Sequence, residues 1–208
     1  MWIKYHEEIT RKALENHFPP SSLWDIIQSN IKQDGLLGQI GHSHFHFDNN
    51  TFNESYAYIQ DQREQLLSCL EKNQQVVARK HFGRVLHSFQ DFYAHSNYVT
   101  LWLKKHDPKL LSHHDDIDPC DDQLLESSKL RSGRLYYPLE ILSFIPVLKE
   151  IVLPLLPSDS HARMNLDGPE SGKKFPYAFS AAVKRTINEF EGIISGMPAD
   201  HLALFLGE

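Results

Sequence analysis

The chain has 208 residues, of which 41% are hydrophobic, and its formal net charge is −6. This length and composition favour one domain with a real hydrophobic core, and the scattered lysines and arginines argue against binding to duplex nucleic acid. Histidine is unusually frequent, with 13 copies beside only two cysteines, so any metal site must use nitrogen and oxygen ligands. The first ten residues lack the apolar segment of a signal peptide, which predicts a cytoplasmic protein or export by a signal-independent route.

The first part of the chain predicts two helices. Residues 5–18 place apolar side chains on one face, and this helix is expected to end at Pro19-Pro20. Ser21 or Ser22 is the expected N-cap of the second helix, which should end near Gly35.

The middle of the chain alternates irregular and helical segments. Residues 35–50 are rich in Gly, His and Asn and predict an irregular stretch. Residues 53–103 predict two helices with a break near Lys72-Asn73. Residues 104–135 are polar and acidic, and we expect a solvated loop there.

The last third of the chain contains its most apolar segment, residues 136–157. Charged residues and four prolines interrupt this segment, so it does not predict a transmembrane helix. It predicts either a helical hairpin of the core or a membrane-facing, lid-like surface. A long helix over 175–195 and a short one after Pro198 complete an all-α chain, which we expect to form one domain over residues 1–208.

The stretch HSFQDFYAH, residues 87–95, places three metal-ligating side chains in an apolar helix. Four-residue steps put His87, Asp91 and His95 in one row along one helix face. Burial of these polar groups among aromatic side chains is costly unless a shared partner satisfies them. A divalent cation is such a partner, and mixed imidazole and carboxylate ligands suit zinc.

Four blocks of the chain resemble the zinc-dependent phospholipase C/P1 nuclease superfamily, and most closely its HET-C (heterokaryon incompatibility) branch. These blocks are YHEEITRKAL, HFDN, HSFQDFYAHSNYV and HARMNLDGP, which occur in the order of the family's motifs. The resemblance implies a helical bundle with irregular loops around a metal cleft. It also implies a cofactor of two or three zinc ions and the activity of a phosphodiesterase.

The resemblance assigns metal ligands residue by residue. It assigns His87, Asp91 and His95 on the central helix, with Asp91 as a bridging ligand. Asp34 is expected to be an acidic ligand and the catalytic group that orients a water molecule, with Asp48 as a second candidate. The remaining expected ligands are His6, His46, His161 and Asn165.

The third metal position has alternatives. Asn165 is a weak ligand where a carboxylate is usual in the superfamily, and Asp167 is one possible replacement. His114 and Asp118 in the acidic loop form a competing pair, and the Met1 amino group is a further candidate. His42 or His44 is an alternative to His46.

The expected function is a phospholipase C that acts on phospholipid head groups at a membrane surface, which the apolar segment 136–157 would contact. A single-strand-specific nuclease is the first alternative, because one metal site serves lipids and nucleic acids alike. A non-enzymatic HET-C-like recognition or toxicity protein with an incomplete metal cluster is the other. An inhibitory protein partner is possible but is not identified by the sequence.

Overall fold

Helices form the regular secondary structure of this chain. The computed structural model describes residues 1–35, 41–106, 113–143 and 145–207. The helices are α1 (Ile3–Leu14), α2 (Pro20–Ile31), α3 (Phe52–Glu71), α4 (Gln75–His95), α5 (Tyr98–Lys105), α6 (Asp122–Leu125), α7 (Leu139–Ser143), α8 (Pro146–Val152), α9 (His161–Met164), α10 (Phe175–Ile194) and α11 (Ala199–Leu206). The described residues contain two isolated β-bridges and no β-strand. The prediction of an all-α fold is therefore confirmed. Residues 36–40 and 107–112, which belong to the loops predicted at 35–50 and 104–135, lie outside the described residues, as do residues 144 and 208.

Several helix ends differ from their predicted positions. Helix α1 ends at Leu14 rather than at residue 18. Helix α2 begins at Pro20 without a side-chain cap, so the predicted serine cap is wrong; the fixed φ of proline suits the first turn of a helix. The region 53–103 contains the predicted break near Lys72 and also a second break at Ser96-Asn97, where α4 ends and α5 begins.

Helix α4 lies at the centre of the bundle. It packs against α2, α3 and α10, and every residue from Val85 to His95 is buried. A helical segment that is buried on all sides must satisfy its polar side chains inside the protein. The motif seen in the sequence therefore lies in the interior.

The close approach of α4 to α2 depends on Gly83. A Cβ atom at this position would overlap the carbonyl oxygen of Ile26 and lie 3.0 Å from the backbone nitrogen of Asn30. Glycine is thus the residue that lets the two helix backbones meet at this point.

Residues 131–135 cross the end of α4 as an extended strap. The nitrogen of Gly133 donates to the carbonyl oxygen of His95 at 2.9 Å, and the nitrogen of His161 donates to the carbonyl oxygen of Arg134 at 2.8 Å. Ser132 is buried and exchanges hydrogen bonds with Asn50. The prediction of a solvated loop at 104–135 is wrong for this part, because these backbone hydrogen bonds tie the strap to α4 and α9.

The apolar segment 136–157 forms α7 and α8, which pack against each other. Its inner side is buried, as Val152 and Leu156 show, whereas Val147 and Ile151 on its outer side are exposed. The segment thus has features of both predicted alternatives, a core hairpin and a surface. None of the described helices combines the length and apolar content that crossing a bilayer requires.

We predict that Gly83→Ala destabilises the protein by about 1–3 kcal/mol through overpacking between α2 and α4. This loss should exceed the gain of about 1 kcal/mol that alanine gives within a helix. Gly192→Ala is the matched control, since Gly192 is exposed on helix α10 and has no atom near its Cβ position. Urea unfolding measures both variants, and a Gly83→Ala protein as stable as Gly192→Ala would contradict the close packing.

A second prediction concerns the strap. A Cβ atom on Gly133 would lie 2.6 Å from the Cα atom of His161, so Gly133→Ala should displace His161 and lower stability by about 1–3 kcal/mol. The imidazole NMR signals report the displacement, and Gly196→Ala, whose Cβ position is open, is the control. Unchanged imidazole signals in Gly133→Ala would show that the strap does not position His161.

Candidate metal centre

The row on α4 faces a polar centre within the bundle. His87 and Asp91 are fully buried, and His95 is 5% exposed. Side chains from four other segments meet this row, and together they form two groups of potential metal ligands. In each group the ligand atoms lie within 4.8 Å of one another.

The first group contains His6 of α1, Asp34 from the turn after α2, and His87 and Asp91 of α4. His6 Nε2 lies 3.2 Å from Asp91 Oδ1 and 3.5 Å from Asp34 Oδ2. His87 Nε2 lies 3.1 Å from Asp91 Oδ2. His6 Nε2 and Asp34 Oδ2 are buried, and neither has a hydrogen-bond partner within the described part of the chain.

His46 extends the first group. Its Nδ1 atom lies 2.7 Å from Asp91 Oδ2 and 3.0 Å from His87 Nε2. The Asp91 carboxylate therefore contacts imidazoles from three separate segments, which is the geometry expected of a bridging group.

The second group contains Asp48, His95 and His161. His161 Nδ1 lies 2.8 Å from Asp48 Oδ1, and His95 Nε2 lies 3.1 Å from Asp167 Oδ1. The backbone nitrogen of Met1 contacts Asp91 Oδ1 and lies 3.2 Å from Asp167 Oδ1. Met1 and Asp167 thus lie between the two groups.

An amide network holds two imidazoles of the first group in place. Gln90 Oε1 lies 2.7 Å from His6 Nδ1, and Asn30 Oδ1 lies 3.2 Å from His87 Nδ1. Gln90 Nε2 donates to the hydroxyls of Thr10 and Thr186, which fixes the orientation of its amide. Because an amide oxygen only accepts hydrogen bonds, Nδ1 carries the proton in both rings, and Nε2 of each faces the carboxylates.

The backbone around His46 has an unusual conformation. Phe47, Asn49 and Asn50 have φ values of 57°, 57° and 59°. Asparagine tolerates this left-handed region, whereas a bulky aromatic residue adopts it only when its surroundings require it. The Phe47 ring is buried against Phe92, and this anchor turns both His46 and Asp48 towards the polar centre.

Burial and the surrounding charges set the protonation states of the centre. Burial lowers the pKa of His87 to about 4 and so keeps this imidazole neutral at pH 7. Burial opposes the charged form of His161, but Asp48 outweighs it and raises the pKa of His161 to about 9. Burial also opposes ionisation of Asp91, but the Met1 nitrogen and the adjacent imidazoles hold the pKa of this carboxyl well below its usual range.

Two further carboxyl and imidazole groups follow the same pattern. Burial opposes the charge on His46, but the hydrogen bond and charge of Asp91 raise the pKa of this imidazole. Burial opposes ionisation of Asp167, but the Met1 nitrogen and His95 lower its pKa strongly. Asp91 and Asp167 are therefore ionised at neutral pH.

The structure shows where the alternative ligands named from the sequence lie. It brings Asp34 and Asp48 into different groups, so the two acids are not competing candidates. Asn165 lines a cavity beside the second group, and Asp167 lies beside His95. His114 contacts Asp115 and Ser180 in an exposed group outside the polar centre.

Gln90 and Asn30 are functional positions that the sequence reasoning missed. The sequence feature that could have indicated Gln90 is its place in SFQDF, directly before Asp91 and flanked by Phe89 and Phe92. An amide among buried aromatic side chains requires partners, and the partners of Gln90 include the His6 imidazole and the hydroxyls of Thr10 and Thr186.

A cavity of about 810 Å³ opens over the second group. His95, His161 and Asp167 lie on its polar side, and Trp2 and Tyr137 lie among its apolar lining residues. The second group is therefore accessible from the cavity, which Asp34 and His46 also line, while His6 and His87 are enclosed by the bundle.

Comparisons with known proteins identify a family. The model of the family described as VWA7 N-terminal domain matches residues 7–126, which is more than half of the chain. Von Willebrand factor A domain-containing protein 7 from Rattus norvegicus is 29% identical over 91 residues, which cover 44% of this chain and 10% of the relative. The Mus musculus protein of the same name is 26% identical over 129 residues, which cover 54% of this chain and 14% of the relative. The chain thus spans about a tenth of the length of the curated relatives it matches, and no solved structure matches it.

These findings overturn the resemblance to the phospholipase C/P1 nuclease superfamily and its HET-C branch. Neither the matched family nor the matched relatives are described as hydrolases. The expected zinc phosphodiesterase, with phospholipase C or single-strand nuclease activity, is therefore wrong, and so is the HET-C-like alternative. The catalytic role expected of Asp34 loses its basis with them. The chain belongs to the family of the VWA7 N-terminal domain.

Proposed function

We propose that this chain is a divalent-cation-binding helical domain, with zinc as the favoured ion. The observation that carries the proposal is the orphaned pair at the first group, His6 Nε2 and Asp34 Oδ2, which face each other at 3.5 Å. With the proton of His6 on Nδ1, both atoms present lone pairs and neither donates. A cation between them would satisfy both atoms.

The surrounding charges support the same conclusion. The centre collects the carboxylates of Asp34, Asp48, Asp91 and Asp167. In the described part of the chain, their ion-pair partners are imidazoles and the Met1 nitrogen, and no lysine or arginine is among them. Buried carboxylates require compensating positive charge, and a divalent ion supplies it at the point where they converge.

The donor set favours zinc over calcium or magnesium. Calcium and magnesium prefer oxygen ligands, whereas each group here contains at least two imidazoles. Zinc accepts imidazole nitrogen and carboxylate oxygen together. His6, Asp34, His87 and Asp91 would hold one ion, and Asp48, His95 and His161 would hold a second.

The role of such ions would be to join distant segments of the chain. The two groups unite α1, the turn after α2, the 43–50 segment, α4 and the 161–167 segment. Metal binding to a site assembled only in the folded state contributes directly to folding free energy. We therefore propose a domain whose stability and surface depend on its bound metal.

We predict that zinc stabilises the wild-type protein and that Asp91→Asn loses most of this stabilisation. An ion at about 100 times its Kd adds about 2.7 kcal/mol to the free energy of unfolding. Removal of the Asp91 charge takes away the group that contacts the most imidazoles in the centre. The measurements are bound zinc by elemental analysis and the zinc-dependent shift in Tm.

Two further variants make this test decisive. Asp34→Asn alters a carboxylate whose Oδ2 atom has no hydrogen bond among the described residues, so its fold should survive while zinc affinity falls. Asp115→Asn changes an acid of the exposed histidine group and should retain wild-type zinc binding. The proposal fails if Asp34→Asn and Asp91→Asn both bind zinc as the wild type does.

A separate prediction concerns the second group. His161→Ala should lower the zinc stoichiometry or weaken binding of one ion, whereas His114→Ala should leave zinc binding unchanged. His161 lies 2.8 Å from Asp48, while His114 belongs to the exposed group. Calorimetric titration of the metal-free protein with zinc measures both effects, and the opposite pattern would move the second ion to the acidic loop.

A further inference from the structure

The outer side of the 136–157 segment carries a row of exposed aliphatic side chains, which we call the apolar ridge. Its members, followed by their exposed fractions, are Ile141 (54%), Ile145 (44%), Val147 (82%), Ile151 (64%) and Leu155 (65%). Val147, Ile151 and Leu155 follow one another at four-residue steps, so they project from one side of α8 and the turn after it. A concentration of exposed aliphatic side chains of this kind marks an interaction surface.

The ridge is held firmly to the rest of the protein. The buried Glu140 carboxylate accepts hydrogen bonds from the backbone nitrogens of Ala162 and Tyr136. Val152 and Leu156 bury their side chains on the inner side of the segment. The exposed side chains of the ridge therefore lie on a segment that hydrogen bonds and buried side chains attach to the rest of the protein.

Amphipathic side chains flank the ridge around the mouth of the cavity. Trp2 and Tyr137 line the mouth and are 45% and 61% exposed. Lys4 and Lys149 line the cavity together with Glu170, and exposed Glu150 adjoins Lys149. The ammonium group of Lys4 lies 5.2 Å from the centre of the Trp2 ring and 4.7 Å from that of Tyr5. Tryptophan, tyrosine and lysine are the residues that favour the boundary between lipid chains and water.

We propose that the apolar ridge inserts into the interface of a phospholipid bilayer, with Lys4 and Lys149 at the level of the phosphate groups. The lysines complement the negative phosphates of the head groups, and the aliphatic side chains reach the acyl region. This membrane is a docking surface and not a substrate. The binding is peripheral and does not require a spanning helix.

The shape and charge of the ridge favour lipid over a second copy of the chain. Val147, at 82% exposure, projects outward, so a protein partner would need a matching pocket. A symmetric dimer would bring the same patch of both copies together, and each projecting side chain would need a recess on the other copy. A bilayer accepts projecting aliphatic side chains without a preformed pocket.

The test is co-sedimentation of the purified protein with phosphatidylcholine vesicles and with vesicles that also contain phosphatidylserine. We expect the wild type to bind both, and we expect Val147→Glu and Ile151→Glu each to weaken binding by about tenfold or more. Lys149→Glu should reduce the additional binding that phosphatidylserine provides. Leu67→Glu and Val76→Glu are matched controls, since these exposed apolar residues lie on α3 and α4, outside the ridge and the cavity mouth.

Three results would overturn the proposal. The first is a wild-type protein that does not sediment with either vesicle. The second is equal loss of binding in the ridge and control variants. The third is a wild-type dimer without vesicle affinity that Val147→Glu converts to a monomer, since the ridge would then be an interface between copies. Zinc content measured on the same variants should stay at the wild-type level, so this proposal and the metal proposal fail independently.

Discussion

The structure depends on the burial of charge at one point. In the part of the chain that the structure describes, four carboxylates and five imidazoles converge around the end of α4 in the interior of a helical bundle. Most of the imidazoles lie on segments that are far apart in the chain. The carboxylates therefore gain these partners only when the bundle assembles. The helices around α4 provide the apolar enclosure, and the amide network of Gln90 and Asn30 sets the orientation of the rings. The convergence of these groups explains why so many polar side chains occur in an otherwise aromatic core.

The overturned family resemblance rested on a row of metal-ligating residues, which different functions share. The spacing of His87, Asp91 and His95 indicates that one face of a helix carries potential ligand atoms in a row. The same row serves a metal that supports a fold and a metal that activates water, because coordination chemistry selects the residue types in both cases. A ligand motif therefore predicts a site and leaves the reaction undetermined. The wider match over residues 7–126 decided the family.

The cavity connects the two proposals. Residues of both ligand groups line it, and so do Trp2, Tyr137 and two lysines, of which Lys149 lies on α8 within the segment that carries the apolar ridge. A bound cation would therefore lie beneath a surface that has the composition of a membrane-contacting rim. The metal centre and the apolar ridge have separate physical causes. Buried carboxylates are stabilised by a cation, whereas exposed aliphatic side chains are stabilised by an apolar partner.

The sequence alone determined the helical class, the position of most helices and the row on α4, because these features follow from local periodicity and side-chain chemistry. It did not determine how Asp34, Asp48 and Asp167 divide between two groups, because such pairing depends on contacts between segments that are distant in the chain. The strap at 131–135 was also hidden, since its polar residues make backbone hydrogen bonds that leave no periodic pattern. The outward orientation of the apolar ridge was likewise decided by tertiary structure. The apolar composition of the segment indicates that its side chains favour burial. Only the packing of Val152 and Leu156 shows which side of the segment is buried within the protein.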